Sequence, residues 1–172
     1  MYSANNISKT AFFLGVTLFF SSFKFSNWEF NKKYLSKIQA SIVELCESDS
    51  WNFEELKGFE EDFYTIKEAH IVLGYFVVAK APSKFHQFDY YIVFDAKTEL
   101  LKIEVLNYRE NYGAEICNKN WLKQFIGLST DNYAKYNRMV DGISGATLSV
   151  NNLKQEVFRL SKLLKIHLAT KR

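Results

Sequence analysis

The sequence predicts an α+β fold in which an antiparallel sheet is flanked by helices. Two segments rich in aromatic and β-branched residues, "FDYYIVFD" and "ELLKIEVLNY", are separated only by Asp95-Ala96-Lys97-Thr98. Strands joined by so short a turn pair antiparallel, because a parallel pair needs a long crossover connection. Apolar residues recur at helical spacing before and after this pair. With 172 residues and 48% hydrophobic content, the chain has the length of one domain with a sizeable core.

The other elements follow from the same patterns. "NKKYLSKIQASIVELCES" predicts a first amphipathic helix, and "FEEDFYTIKEA" and "HIVLGYFVVAKA" predict two strands, the second closed by Pro82. "NKNWLKQFIG" predicts a short helix that ends at Gly127, and "SVNNLKQEVFRLSKLLKIHL" predicts the last helix. The apolar positions expected to face the core in the two long helices are Leu35, Ile38, Ile42 and Leu45, and Val150, Leu153, Val157, Leu160 and Leu164.

The N-terminus differs from the rest of the chain. Residues 10–23 carry no charge and have about the length of a signal-peptide apolar region, short of the roughly 20 residues of a bilayer span. We expect residues 1–28 to be a signal peptide or membrane anchor, and residues 29–172 to form a single domain. The protein is then periplasmic or extracytoplasmic, with residues 10–23 as an optional anchor in the inner membrane. The alternative is a buried helix of the folded domain.

Several function classes are disfavoured by composition. The net charge is +3 and the basic residues are spread along the chain, so a nucleic-acid partner is not expected. Cys46 and Cys117 allow one disulfide but no spacing requires it, and the three histidines are scattered, so no metal site is expected. No Gly-x-Gly occurs, which disfavours direct binding of a nicotinamide dinucleotide.

The stretch "VDGISGATLSVNNL", residues 140–153, concentrates small and hydroxyl residues just before the last predicted helix. A purely structural explanation makes Ser149 the helix N-cap, lets Gly142 and Gly145 shape the turn, and packs Ala146 where space is tight. A functional explanation uses the free N–H groups and positive dipole end of a helix N-terminus, which stabilise a bound phosphate. A threonine hydroxyl placed there can contact that phosphate or be esterified to it.

The segment Asp141-Gly142-Ile143-Ser144-Gly145-Ala146-Thr147 resembles the D-x-x-[S/T]-G-A-T signature of the FMN-binding domain family. That domain occurs in the sodium-pumping NADH:quinone oxidoreductase and in the Rnf electron-transport complex. The resemblance, which covers about residues 70–160, implies FMN held by a phosphoester bond to Thr147 and installed by a flavin transferase. It implies that the cofactor-binding residues are Thr147, Asp141, Ser144, Gly145, Ala146 and Gly142. Asp141 would orient the loop or bind the transferase's metal, with its carboxylate turned towards the backbone.

Upstream residues extend the resemblance. The family's loop Glu-Thr-x-Gly is Glu110-Asn111-Tyr112-Gly113 here, and its Gln-Phe-x-Gly segment corresponds to Gln124, Phe125 and Gly127. Tyr112 and Gly113 are therefore expected in the cofactor site. Tyr112 and Tyr108 are the aromatics expected to cover the flavin ring, although Tyr108 equally fits an ordinary strand position.

The resemblance implies an exported or membrane-anchored electron-transfer protein with covalent FMN. Its expected partners are a flavin transferase for maturation and a membrane electron donor or redox complex. No catalytic residue is assigned, because the protein is expected to be a carrier or part of a complex rather than a stand-alone enzyme. The alternative is a flavin-free structural or binding module with the same fold.

Overall fold

The computed structural model describes residues 32–46 and 50–171. The chain divides into two units, Met1–Leu35 and Ser36–Arg172, and the second contains the whole sheet. The signal or anchor segment predicted for residues 1–28 lies outside the described residues. None of the helices in the described part of the chain has both the length and the apolar character that a bilayer crossing requires.

Five strands form one antiparallel sheet whose spatial order is the order in the sequence. They are β1 (Trp51–Glu55), β2 (Asp62–Glu68), β3 (Ile71–Pro82), β4 (Gln87–Asp95) and β5 (Leu100–Asn107). The helices are α1 (Lys32–Cys46), α2 (Lys119–Leu122), α3 (Tyr133–Met139) and α4 (Thr147–Thr170), with 3₁₀ turns at Ala114–Cys117 and Lys123–Phe125. The predicted fold class, an antiparallel sheet flanked by helices, is confirmed.

Four elements differ from the sequence prediction. β1 and α3 were not predicted, because β1 buries only Phe53 and α3 is only 7 residues long, so neither has a readable apolar pattern. The short helix predicted over "NKNWLKQFIG" is split into α2 and a 3₁₀ turn that ends at Phe125. The last helix begins at Thr147, two residues before the predicted N-cap Ser149.

β4 is the centre of the fold because both of its faces are covered. Every side chain from Phe88 to Phe94 is buried. The core on one face joins β4 to the predicted apolar stripe of α4, in which Val150, Leu153, Val157, Leu160 and Leu164 are all buried. On the other face the Tyr91 hydroxyl is 2.7 Å from Ser41 Oγ in α1. Two-sided burial explains why residues 90–94 of β4 form a continuous apolar run rather than an alternating one.

The predicted hairpin between β4 and β5 is confirmed. The Asp95 carboxylate accepts hydrogen bonds from the N–H groups of Lys97 and Glu99, both at 2.8 Å, which closes the turn. A register shift in β5 opposite Val93 and Phe94 interrupts the predicted alternation at Leu101, which is half-buried, whereas Ile103 and Val105 are in the core.

A carboxylate is buried between β5 and α1. Glu104 is 5% exposed, accepts a hydrogen bond from Tyr91 Oη at 2.8 Å, and pairs with Lys37 Nζ at 2.7 Å. Burial raises the pKa of this carboxyl, but the hydrogen bonds from Lys37 and Tyr91 outweigh it and leave the pKa below its ordinary value.

Because the folded-state pKa of Glu104 is depressed, its stabilising effect is present above the unfolded pKa and is lost as pH falls through the folded pKa. We therefore expect Glu104→Gln to lower the free energy of unfolding at neutral pH by about 1–2 kcal/mol. The difference in unfolding free energy between wild type and Glu104→Gln should shrink as pH falls through the folded-state pKa of Glu104. Urea unfolding at several pH values measures both effects. Glu99→Gln, at an exposed turn position, is the control, and an equal pH dependence in the two variants would contradict the assignment.

Candidate functional site

Three segments meet at one end of the sheet. In this antiparallel sheet β3 and β5 run in the same direction, so the β3–β4 turn and the loop that leaves β5 lie at the same end. α4 begins there as well, because Asn152 Nδ2 donates a hydrogen bond to the Pro82 carbonyl at 2.9 Å. The topology therefore brings together residues 83–86, residues 108–113 and residues 145–149.

Glu110 holds the β3–β4 turn in place. Its carboxylate accepts hydrogen bonds from Ser83 Oγ, from the Phe85 N–H at 2.8 Å and from the His86 N–H at 3.0 Å. The Ser83 hydroxyl and the Phe85 N–H together keep the pKa of Glu110 below its ordinary value. The loop after β5 is thereby fixed to the turn, and the positions of Lys84 and Phe85 depend on it.

Gly113 allows a close contact between the loop after β5 and the residue before α4. A Cβ atom at Gly113 would lie 2.3 Å from the Ala146 Cβ, which is far inside van der Waals contact. Gly113 also has φ +76°, a left-handed conformation that favours glycine. Gly113 therefore acts on the site through Ala146, which is buried at this contact.

The start of α4 is turned sharply by Gly145, whose φ is +79°. Ala146 is the N-cap residue and offers no side-chain cap, so the first-turn N–H groups of this 24-residue helix lack one. Thr147 is the first helical residue, and it is exposed. The predicted N-cap role of Ser149 is wrong: Ser149 is buried in the first turn, and its Oγ lies 3.0 Å from the Tyr108 hydroxyl.

The first part of the signature is anchored on the side of α2. The Trp121 indole donates a hydrogen bond to the Asp141 carbonyl at 3.1 Å, and the Asp141 N–H donates to Gln124 Oε1 at 3.0 Å. Lys154 Nζ donates to the Val140 carbonyl at 2.7 Å. These contacts give Gln124 a role in positioning the loop. The side chain of Asp141 is exposed.

The three segments enclose an open cleft of about 380 Å³. Its lining comprises Lys84, Phe85, Tyr108, Glu110, Tyr112 and residues 145–149. Of the predicted site residues, the structure brings Thr147, Gly145, Ala146 and Tyr112 together here. Asp141, Gly142, Ser144 and Gly113 are not part of the lining: the first three precede the turn at Gly145, and Gly113 lies behind Ala146.

Lys84 and Phe85 line the cleft, although neither was predicted as a site residue. Pro82 was interpreted only as the end of a strand, and no function was assigned to the turn after it. The sequence did contain an indication: a bulky aromatic residue next to a lysine lies in a hairpin turn, a position that is usually exposed. Phe85 is 75% exposed and Tyr112 is 79% exposed, so two large aromatic side chains stand beside Thr147 without burial in the core.

The three glycines of this region should respond differently to alanine. Gly142→Ala should be nearly neutral, since a Cβ there meets nothing within 4 Å. Gly145→Ala should cost about 1–2 kcal/mol in unfolding free energy for the left-handed conformation alone. Gly113→Ala should cost more than Gly145→Ala, because it adds the clash with Ala146 to the same strain. Denaturant unfolding of the three variants tests the order, and a Gly113→Ala variant as stable as Gly142→Ala would contradict it.

Comparison with known proteins identifies the family that the region around this site resembles. A search among curated proteins gave no significant match. Residues 86–160 match the family model described as the FMN-binding domain. The matched segment runs from the end of the β3–β4 turn through the first 14 residues of α4, so it includes Glu110, Gly113, Gln124 and Thr147. The region from residue 86 to residue 160 is therefore a member of the FMN-binding domain family.

Proposed function

We propose that this protein carries FMN covalently on Thr147 and serves as an electron-transfer carrier outside the cytoplasm. Membership of residues 86–160 in the FMN-binding domain family supports a flavin-binding protein. The single observation that carries the attachment site is the position of Thr147. It is an exposed hydroxyl residue at the uncapped N-terminus of α4, on the wall of the cleft.

The residues of the cleft fit FMN. Its volume of about 380 Å³ is within the range of roughly 300–1,000 Å³ that small-molecule sites have. The N–H groups of the first turn of α4 and the positive end of the helix dipole suit a phosphate at Thr147. Tyr112 and Phe85 offer exposed aromatic surface to a flat ring system.

Three hydroxyl residues compete for the role of acceptor, and their surroundings favour Thr147. Ser149 is buried, and its Oγ already interacts with the Tyr108 hydroxyl. Ser144 is exposed but precedes the left-handed turn at Gly145 and is not part of the cleft lining. Thr147 alone among these three combines exposure with a place in the lining.

The roles of the protein side chains are attachment and positioning. Bound FMN supplies the redox chemistry, and the chain supplies its binding, orientation and electrostatic surroundings. The cleft is open to solvent, which suits exchange of electrons with a membrane donor or redox complex. Asp141 is exposed and does not line the cleft, and we propose that it orients the loop or binds the metal that the flavin transferase uses during maturation.

The attachment is tested by co-expression with a flavin transferase that modifies proteins of the FMN-binding domain family. We expect the intact mass to increase by one esterified FMN, and the flavin fluorescence to stay with the chain in denaturing electrophoresis. Thr147→Ala should abolish both signals without unfolding the protein, because Thr147 is exposed. Ser144→Ala should reduce loading without ending it.

Thr147→Ser is the matched variant, since it keeps the hydroxyl and should retain some loading. Covalent flavin on the Thr147→Ala protein would refute the acceptor assignment, and peptide mapping would then identify the residue that carries it. A wild-type chain that stays at the unmodified mass and binds no FMN would instead support the flavin-free module.

The proposed location rests on residues 10–23, the uncharged apolar run near the N-terminus. We propose that this segment directs export, because the family resemblance implies flavin attachment outside the cytoplasm. A reporter active only outside the cytoplasm, fused after Asn31, should be active, and the same fusion lacking residues 10–23 should not. Equal reporter activity of the two fusions would contradict the proposal.

A further inference from the structure

We infer that the β3–β4 turn, residues 83–86, forms a wall of the flavin site in which Phe85 packs against the flavin ring and Lys84 places a positive charge beside it. This inference rests on the FMN binding proposed above and adds two residues to it. Both lie immediately before the segment that matches the family model, so the family match does not assign them a role.

The first observation is the exposure of Phe85. Its side chain is 75% exposed at the cleft, although burying a phenylalanine stabilises a protein by about 1.5–3 kcal/mol. Lys84 Nζ lies 5.0 Å from the centre of the Phe85 ring, and this cation–π contact leaves the rest of the ring accessible. A flat heteroaromatic ring is the kind of ligand that covers such a surface.

The second observation is that the turn is held rigidly rather than left loose. The Ser83 N–H donates to the His86 carbonyl at 2.7 Å, and Ser83 Oγ donates to the Glu110 carboxylate. The Glu110 carboxylate then accepts from the N–H groups of Phe85 and His86. Hydrogen bonds to an ionised acceptor are about twice as strong as neutral ones, so Glu110 fixes the backbone from which the Phe85 side chain projects. Glu110 is a positioning residue for this wall.

The third observation concerns charge. Among the described residues that line the cleft, Lys84 is the only cation and Glu110 is the only anion. Glu110 is engaged by the turn, so the positive charge of Lys84 is the one that faces a ligand. FMN carries negative charge on its phosphate, and its ring gains negative charge when it is reduced. A nearby cation therefore favours both the binding of FMN and the reduction of its ring.

The main experiment uses the full chain loaded with FMN by the transferase, together with titration of free FMN into the unloaded chain. A phenyl ring packed against the flavin replaces water at one face of the ring and so shifts the visible absorption bands of the flavin. Phe85→Ala should therefore shift the absorption of the loaded protein towards that of free FMN and weaken binding of free FMN several-fold, while Phe85→Tyr should keep both near wild type. Glu110→Ala should reproduce the effect of Phe85→Ala, and the double variant should add nothing further.

The charge is tested with Lys84→Gln, which should shift the flavin midpoint potential to a more negative value. The controls lie at the opposite end of the sheet. Ile71 is 65% exposed and lies at the start of β3, about 35–40 Å from the cleft end of this 12-residue strand. Lys97 lies in the β4–β5 turn. Ile71→Ala and Lys97→Gln should leave the flavin absorption, the FMN affinity and the midpoint potential unchanged.

The outcomes separate this inference from the proposed attachment. Unchanged flavin absorption and unchanged FMN affinity in Phe85→Ala would overturn it, even if Thr147 is fully loaded. A change in Phe85→Ala that Glu110→Ala does not reproduce would overturn the positioning role. If Thr147 stays unmodified but free FMN binds in a Phe85-dependent way, the inference holds and the covalent attachment fails.

Discussion

The arrangement of this site depends on one steric constraint, the close approach of Gly113 to Ala146. No side chain larger than hydrogen fits at Gly113, because a Cβ there would overlap the Ala146 Cβ. The contact joins the loop after β5 to the residue that precedes α4, and the two segments carry Tyr112 and Thr147. Together with the contact between the Tyr108 hydroxyl and Ser149 Oγ, it holds the loop against the helix N-terminus, so the two segments form adjoining walls of the cleft.

The sheet supplies the base for this contact. Because β4 is buried on both faces, it cannot shift without disturbing α1 on one side and α4 on the other. The neighbouring strands are paired to it over most of their length, so the ends of β3 and β5 are fixed relative to each other. The loops at this end are therefore attached to a rigid element, as the positions of binding residues require.

Much of this could be predicted from the sequence, and the failures have physical causes. The β4–β5 hairpin and the apolar stripe of α4 were predicted because local spacing determines them. The start of α4 was misplaced because Ser149 has the side chain of an N-cap but is held by Tyr108, a contact 41 residues away. The roles of Gly113 and Gln124 also depend on distant partners, Ala146 and Asp141, which no local pattern reveals.

The boundary of the family match has a consequence for how the domain can be dissected. The matched segment begins at residue 86, directly before β4, so β1, β2 and β3 lie outside it. A fragment cut at that boundary would leave β4, which is buried from Phe88 to Phe94, with an unpaired edge. Such an edge is a template for pairing with other chains. The recognisable unit of homology is thus smaller than the sheet, and studies of the isolated domain need to retain the strands before it.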